Sequence, residues 1–284
     1  MHTINFINPQ HSSIPYQIFT FPDGQPHIKI EVAGIDVNDK DCSIYARISN
    51  PTDLLLVLMA KDVLYTAGLR QFSLYISYLM AARMDRTMTN GEAFSLKIVG
   101  QVLNTGGFDS IKIFDPHSDV APAVLQQAQP IDNIAFAQQA VAHYRSQHPH
   151  LQAADICLVS PDAGALKKVL KVSAALGGLD VVECLKIRDV KTGQLSGFKV
   201  FDESLAGKTC FIVDDICDGG GTFVGIAAIL QEKGAAAVVL AVSHGVFSKG
   251  TQLANVGHIY TTDSYKALAT AEGLTVFPVM DFLR

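Results

Sequence analysis

Short β-type runs alternate with longer segments of helical periodicity along the whole chain. Because parallel strands need a long crossover connection between them, usually a helix, this alternation is typical of a parallel-sheet α/β protein. Strand-like runs occupy residues 72–76 and 110–114 in the first half, and residues 156–159, 181–184, 209–213 and 237–242 in the second. The order of elements therefore predicts an α/β fold with mainly parallel sheets flanked by helices.

Helix boundaries and one polar segment divide this pattern into two halves. Asn50 and Pro51 suit the cap and first position of a helix, and a later helical stretch should end at Gly106. The pattern restarts after the His-rich segment 146–150. We therefore expect two domains, residues 1–147 and 148–284, with the last residues packing back on the first domain.

Composition excludes several classes of protein. Of 284 residues, 49% are hydrophobic, which is ample for a packed core, and 22 Lys+Arg against 27 Asp+Glu give a net charge of −5. That charge argues against broad binding of nucleic acids or anionic membranes. The longest apolar runs, 54–60 and 235–242, are too short to span a bilayer. No secretory signal is visible, and five widely spaced cysteines are typical of reduced thiols, so we expect a cytoplasmic protein.

The strongest chemical signal lies in residues 210–223. An apolar run leads into Asp214, Asp215 and Asp218, and a glycine-rich turn then opens a helix at Thr222. Free backbone N–H groups at a helix start can hold a phosphate, while the acids can face ribose hydroxyls or Mg²⁺. The alternative is an acidic turn before an ordinary helix. Three acids and three glycines in one loop favour a sugar-phosphate site.

Several segments together resemble one enzyme family. The loop VDDICDGGGT (213–222) resembles the 5-phosphoribosyl diphosphate loop of type I phosphoribosyltransferases and ribose-phosphate diphosphokinases. Further segments in matching order favour the diphosphokinases, also called PRPP synthetases. They are FPDGQ (21–25), ARMDR (82–86), DPHS (115–118), SPDAG (160–164) with KIR (186–188), and SHGVFS (243–248).

The resemblance implies two phosphoribosyltransferase-like domains and a diphosphoryl transfer from ATP to the C1 hydroxyl of a ribose 5-phosphate group, with release of AMP. Such a step needs dense positive charge around the triphosphate, which an acidic protein can borrow from Mg²⁺. ATP, a ribose 5-phosphate-type acceptor and Mg²⁺ are thus the expected ligands, and a homo-oligomer is the expected assembly.

The matched segments assign individual roles. Lys186 and Arg188, just past a β-type run and before the polar segment 189–194, are implied to be catalytic, on a flap that looks mobile. His117 is implied to bind ATP and, with Asp162, its magnesium. In the phosphate loop the ribose-phosphate ligands are implied to be Asp214, Asp215, Asp218, Gly219, Gly220, Gly221 and Thr222.

ATP recognition is assigned to two further segments. Arg83 and Asp85 follow the strand-like run 72–76, and a guanidinium can pair with phosphate or stack on a base. Asp23 and Gln25 lie in a predicted turn. The resemblance has this turn reach an adenine in a neighbouring subunit.

Three positions depart from the usual pattern of the family: Gln25 replaces Glu, Met84 replaces Gln and Gly219 replaces Thr. A divergent branch with a similar DPHSDV and DICDGGGTF transfers the diphosphate to ADP-ribose, for NAD synthesis, and the loss of Thr at 219 would open room beyond the 5-phosphate. The open alternatives are ADP-ribose as acceptor, a type I phosphoribosyltransferase, and a catalytically silent regulatory homologue.

Overall fold

The computed structural model describes residues 1–188 and 195–283. The chain divides into two compact units. The first comprises residues 1–132 together with Leu283, and the second comprises residues 133–282. None of the described helices is long and apolar enough to cross a membrane.

The first unit is built on a five-stranded sheet in which every neighbouring pair is parallel. The strands follow one another in chain order, β1-β4-β5-β6-β7, and β2 and β3 form a separate antiparallel hairpin. The strands are β1 (His2–Asn5), β2 (Tyr16–Thr20), β3 (Pro26–Ile30), β4 (Asp41–Ile48), β5 (Gln71–Leu79), β6 (Ser110–Phe114) and β7 (Ala128–Ile131). The helices are α1 (Pro51–Thr66), α2 (Ser95–Thr105) and α3 (Val120–Val124).

Helix α1 begins where the sequence predicts. The Asn50 side chain accepts a hydrogen bond from the backbone N–H of Asp53 at 3.1 Å, and Pro51 occupies the first helical position. Gly68, at φ +113°, then turns the chain into the next strand. The predicted start of this helix is confirmed.

The second unit carries a seven-stranded sheet in the order β10-β9-β8-β11-β12-β13-β14. All neighbours are parallel except the edge pair β9 and β10. The strands are β8 (Ile156–Ser160), β9 (Asp180–Arg188), β10 (Leu195–Val200), β11 (Thr209–Cys217), β12 (Ala237–Gly245), β13 (His258–Thr262) and β14 (Leu274–Phe277). The helices are α4 (Ile134–Gln147), α5 (Ala163–Ala175) and α6 (Gly221–Glu232).

The strand order of the second sheet reverses beside β8. The chain passes from β8 to β9 on one side, and then returns to place β11 on the other side of β8. In open α/β sheets, the crevice at the carboxyl ends of the strands at such a reversal is where ligands bind. The carboxyl ends of β8 and β11 are therefore where this fold predicts a ligand-binding site.

The division between the units lies earlier than the sequence suggests. We expected it after residue 147, but it falls between Asp132 and Asn133. Helix α4 lies in the second unit because it packs against α5 and β12. The fold class is as predicted: parallel sheets flanked by helices, consistent with two phosphoribosyltransferase-like domains.

Candidate functional site

The two adjacent acids of the predicted loop lie inside β11. The sequence predicts that the strand ends at Val213, whereas it continues to Cys217. Pairing with β12 sustains the extension as far as Cys217 opposite Gly245, although pairing with β8 stops at Ile212 opposite Val159. Beyond that point β11 extends past β8, so among the described residues the backbone of its acidic end pairs with no strand on the β8 side.

Asp162 provides a third carboxylate at the same reversal. It caps α5, with its Oδ1 accepting a hydrogen bond from the N–H of Ala165 at 3.1 Å. The hydroxyl of buried Ser160, the last residue of β8, donates to the backbone oxygen of Asp162 at 2.8 Å. This bond fixes the turn that carries Asp162 away from the strand end.

The three acids influence one another electrostatically. Asp215 is only 6% exposed and Asp214 is half-buried, with its Oδ1 accepting the N–H of Asp215 at 2.9 Å. Burial raises the pKa of Asp214 well above its usual range, and the negative charges of Asp215 and then Asp162 raise it further. A hydroxyl donor or a cation bound here would relieve this repulsion.

The glycine turn brings backbone N–H groups to the same end of the sheet. Gly220 caps α6 at φ +75°, a left-handed conformation that favours glycine. A Cβ there would also lie 2.3 Å from Leu253 Cδ2. Within the described residues no side chain caps this helix, so its first N–H groups are available for an anion, with half-buried Thr222 among them.

The segment after β12 lies beside this turn. The backbone oxygen of Cys217 accepts hydrogen bonds from the N–H groups of Val246 at 2.9 Å and Phe247 at 3.1 Å. The stem of Lys249 lies against Gly219, with its Cδ 3.4 Å from the position that a Cβ there would occupy. Lys249 lies just beyond the matched segment 243–248 and is not predicted by the sequence, since no local pattern indicates a contact between residues so far apart in the chain.

In the first unit, three of the predicted ATP ligands follow neighbouring parallel strands. Arg83 and Asp85 lie after β5, and His117 lies after β6. The side chains of Arg83 and His117 are exposed, while Asp85 is half-buried and forms an ion pair with Arg86 at 3.9 Å. The strand order places these residues at one edge of the sheet, and their roles stay predictions.

Asp23 and Gln25 lie elsewhere, at the exposed tip of the β2–β3 hairpin. The Asp23 carboxylate accepts the N–H of Gln25 at 3.1 Å, and Gly24 closes the turn at φ +86°. This confirms the predicted turn, but the hairpin is a sheet of its own.

The catalytic candidates Lys186 and Arg188 are described by their backbone only. They lie within β9, paired with Phe198 and Leu195 of β10, rather than past the end of a strand as expected. Antiparallel pairing with β10 extends β9 beyond the apolar run that marked it in the sequence. Their side chains, and the segment 189–194 predicted to be mobile, lie outside the described residues.

The donor chemistry of the acidic cluster fits Mg²⁺. Among residues whose side chains are described, no group of three or more His, Cys, Asp or Glu forms a site that holds a metal by protein ligands alone. Mg²⁺ usually takes one or two carboxylates, several waters and substrate phosphates, and Asp162, whose charge acts on Asp214, can supply such a carboxylate. His117 and Asp162 belong to different units, so their joint role as metal ligands stays a prediction.

Comparison with known proteins agrees with this geometry. The phosphoribosyl transferase domain model matches residues 129–270, the part that contains the reversal of strand order and the glycine turn. The chain is 30% identical over 239 residues to a ribose-phosphate pyrophosphokinase of Pyrococcus abyssi, covering 84% of this chain and 78% of the relative. It is 28% identical over 272 residues to that of Corynebacterium efficiens, covering 93% and 81%.

A solved structure resembles nearly the whole chain. The phosphoribosylpyrophosphate synthetase from Mycobacterium smegmatis aligns with a TM-score of 0.79 at 22% identity, covering 95% of this chain and 88% of that one, which supports the fold. The fold and the phosphate loop thus define a transferase of the phosphoribosyltransferase structural class. More specifically, the chain belongs to the ribose-phosphate pyrophosphokinase family.

Proposed function

We propose that this protein transfers a diphosphoryl group from ATP to the C1 hydroxyl of a ribose 5-phosphate group. The observation that carries the proposal is the convergence of Asp214, Asp215 and the α6 N-terminus at the sheet reversal, because it matches acids to ribose hydroxyls and N–H groups to a phosphate. The matches of relatives over most of the chain support it.

In the proposed reaction the C1 oxygen forms a bond to the β-phosphorus of ATP, and the bond between that phosphorus and the α–β bridging oxygen breaks. The bridging oxygen leaves with AMP, and the C1 hydroxyl loses its proton. Arg83, Asp85 and His117 bind ATP in this scheme, and Lys186 and Arg188 stabilise the charge that develops on the transferring phosphates. Mg²⁺, when bound, would neutralise phosphate charge, with Asp162 and His117 as the proposed protein ligands.

In the direct test, the protein is incubated with ATP, Mg²⁺ and ribose 5-phosphate, and the formation of AMP and of the sugar diphosphate is measured. We expect the two products in equal amounts and no ADP. Formation of ADP instead would mean monophosphoryl transfer. In a separate incubation with a base and a ready-made sugar diphosphate, formation of a nucleotide would indicate a phosphoribosyltransferase. No turnover with any acceptor would favour the silent homologue.

The acceptor is tested by competition. Gly219 carries no side chain, which is the feature that would admit an acceptor larger than ribose 5-phosphate, although the stem of Lys249 occupies part of that space. An assay with equal ribose 5-phosphate and ADP-ribose, read by AMP release and product mass, decides between them. No preference for ADP-ribose would remove that alternative.

Lys186 is tested by its alanine variant. Lys186→Ala should abolish AMP formation but keep ATP binding, because the side chain is proposed to act on charge that develops only during transfer. Lys171→Ala is the matched control, since Lys171 is an exposed lysine late in α5. Unchanged turnover of the Lys186 variant would remove the assignment.

We further propose a homo-oligomer in which the hairpin tip serves a neighbouring copy. Phe19 and Phe21 lie on this hairpin at 42% and 46% exposure, with ring centroids 5.2 Å apart. Mass measurement in solution tests the assembly. A monomer at assay concentration would contradict it.

A further inference from the structure

A lysine outside the recognised motifs lies beside the phosphate turn. A Cβ at Gly219 would lie 3.4 Å from Cδ, 3.5 Å from Cε and 3.7 Å from Cγ of Lys249. Because Nζ is one C–N bond of about 1.45 Å beyond Cε, the ammonium lies within about 5 Å of that position. The Lys249 stem thus lies next to the turn, and a side chain at residue 219 would occupy part of the same space.

The segment that carries Lys249 is anchored to the end of β11. Besides the two N–H groups that bond to Cys217, the ammonium of Lys266 donates to the backbone oxygen of Val246 at 2.6 Å. Gly245 lets the chain fold tightly, because a Cβ there would lie 2.2 Å from the ring of Phe247. These interactions hold the residues before Lys249 against the strand that delivers the acidic loop.

The ammonium of Lys249 has no protein partner in the part of the chain that the structure describes. Lys208, Lys233 and Lys266 each direct their ammonium group to a backbone oxygen, whereas Lys249 is exposed and forms no hydrogen bond or ion pair there. It stands beside the start of α6, where the helix dipole and free N–H groups already favour an anion. Both positive features suit one phosphate.

We propose that Lys249 binds the phosphate of the sugar-phosphate substrate and sets its affinity. The inference rests on the proposed function, since it adds a contact to the same site. An ammonium is a point charge on a flexible stem, so it can follow a phosphate monoester dianion without a fixed pairing geometry. The lysine would thereby offset the missing side chain at Gly219, where no hydroxyl is available.

The test measures binding by calorimetry, in the absence of ATP, with ribose 5-phosphate and with inorganic phosphate as probes. Lys249→Met keeps much of the stem and removes the charge, so its Kd for ribose 5-phosphate should rise about tenfold, as expected for a lost charge-assisted hydrogen bond. Lys249→Arg should stay within about twofold of the wild type because the charge remains. Lys171→Met, which removes a charge from the exposed side of α5, should bind like the wild type.

Steady-state kinetics supply the second readout. Lys249→Met should raise the KM for ribose 5-phosphate and leave the KM for ATP unchanged, which a general loss of structure would not do. Wild-type affinity in Lys249→Met, or an equal loss in Lys171→Met, would overturn the assignment even if AMP is formed normally. If the wild type binds ribose 5-phosphate and Lys249→Met binds it weakly, but no AMP forms, the proposed function fails and the Lys249 assignment stands.

If the wild type binds neither probe, the Lys249 assignment is overturned. Weaker binding of both probes by Lys249→Met would place the contact on the phosphate itself. Weaker binding of inorganic phosphate alone, with ribose 5-phosphate unaffected, would also overturn the assignment, because the charge would then serve a free anion and not the sugar phosphate.

Discussion

The two units present their candidate ligands in different ways. In the first, the strands of the main sheet follow chain order, and its candidate ligands are mostly exposed side chains on the turns after β5 and β6. In the second, the strand order reverses between β8 and β11, and two carboxylates lie within a strand that outruns its neighbour. The second unit thus builds its site from the sheet itself, whereas the first adds side chains to a sheet without a reversal.

The two sets of candidate ligands also differ in how much their burial costs in folding stability. Asp214 and Asp215 lie in a partly buried, mutually repulsive arrangement that costs folding stability while both carboxylates are charged, and a bound cation or hydroxyl donor would reduce this cost. Arg83 and His117 are exposed and carry no such burial cost. Changes at the acidic strand end of the second unit should therefore affect catalysis and stability strongly, and a change at Arg83 in the first unit should affect ATP affinity.

The largest expected effect is on turnover in Asp215→Asn. The amide keeps the shape of this buried side chain and removes a charge proposed to face the sugar or its metal, so AMP formation should fall at least about 100-fold. Asp180→Asn is the matched control, because Asp180 is an exposed aspartate at the start of β9, away from the carboxyl end of the sheet where the site lies. If both variants turn over like the wild type, the acidic strand end is not the reaction site.

Next in size is the effect of Gly220→Ala on folding. The alanine meets both the left-handed φ and the side chain of Leu253, so we expect a loss of about 2 kcal/mol of unfolding free energy, together with weaker ribose 5-phosphate binding. Gly177→Ala isolates the backbone term, since Gly177 has φ +85° and open space around its Cβ position. Urea unfolding compares the two, and equal losses would show that Leu253 adds no cost.

These sites differ in how far the sequence predicts them. The N-cap of α1 and the glycine turn were predictable because their residues act locally, through side-chain capping and left-handed φ. The extension of β11 through its acids was not, since aspartate disfavours strands and only pairing with β12 sustains it there. The edge pairing of β9 with β10 and the place of Lys249 depend on residues distant in the chain, which no local pattern encodes.

A smaller effect is expected from Arg83→Ala in the first unit. Loss of an exposed guanidinium proposed to contact ATP should raise the KM for ATP about tenfold and leave the KM for ribose 5-phosphate unchanged. Arg145→Ala, at an exposed arginine late in α4, is the control for loss of one surface charge. A rise in the sugar-phosphate KM instead would break the proposed division of ligands between the units.

The smallest effect is on the pH dependence of stability in Asp214→Asn. Because the pKa of Asp214 is raised in the fold, its contribution to stability is fully present below the ordinary pKa of an aspartate and is lost as the pH rises through the folded value. Without ligand or Mg²⁺ at pH 7.5, the asparagine variant should therefore be more stable than the wild type, while being inactive. Urea unfolding at pH 7.5 and pH 4 measures this gain, which should shrink at the lower pH, where the native carboxyl is protonated. A variant less stable than the wild type at pH 7.5 would show that Asp214 stabilises the fold, and the contrast between the two units would then lose its energetic basis.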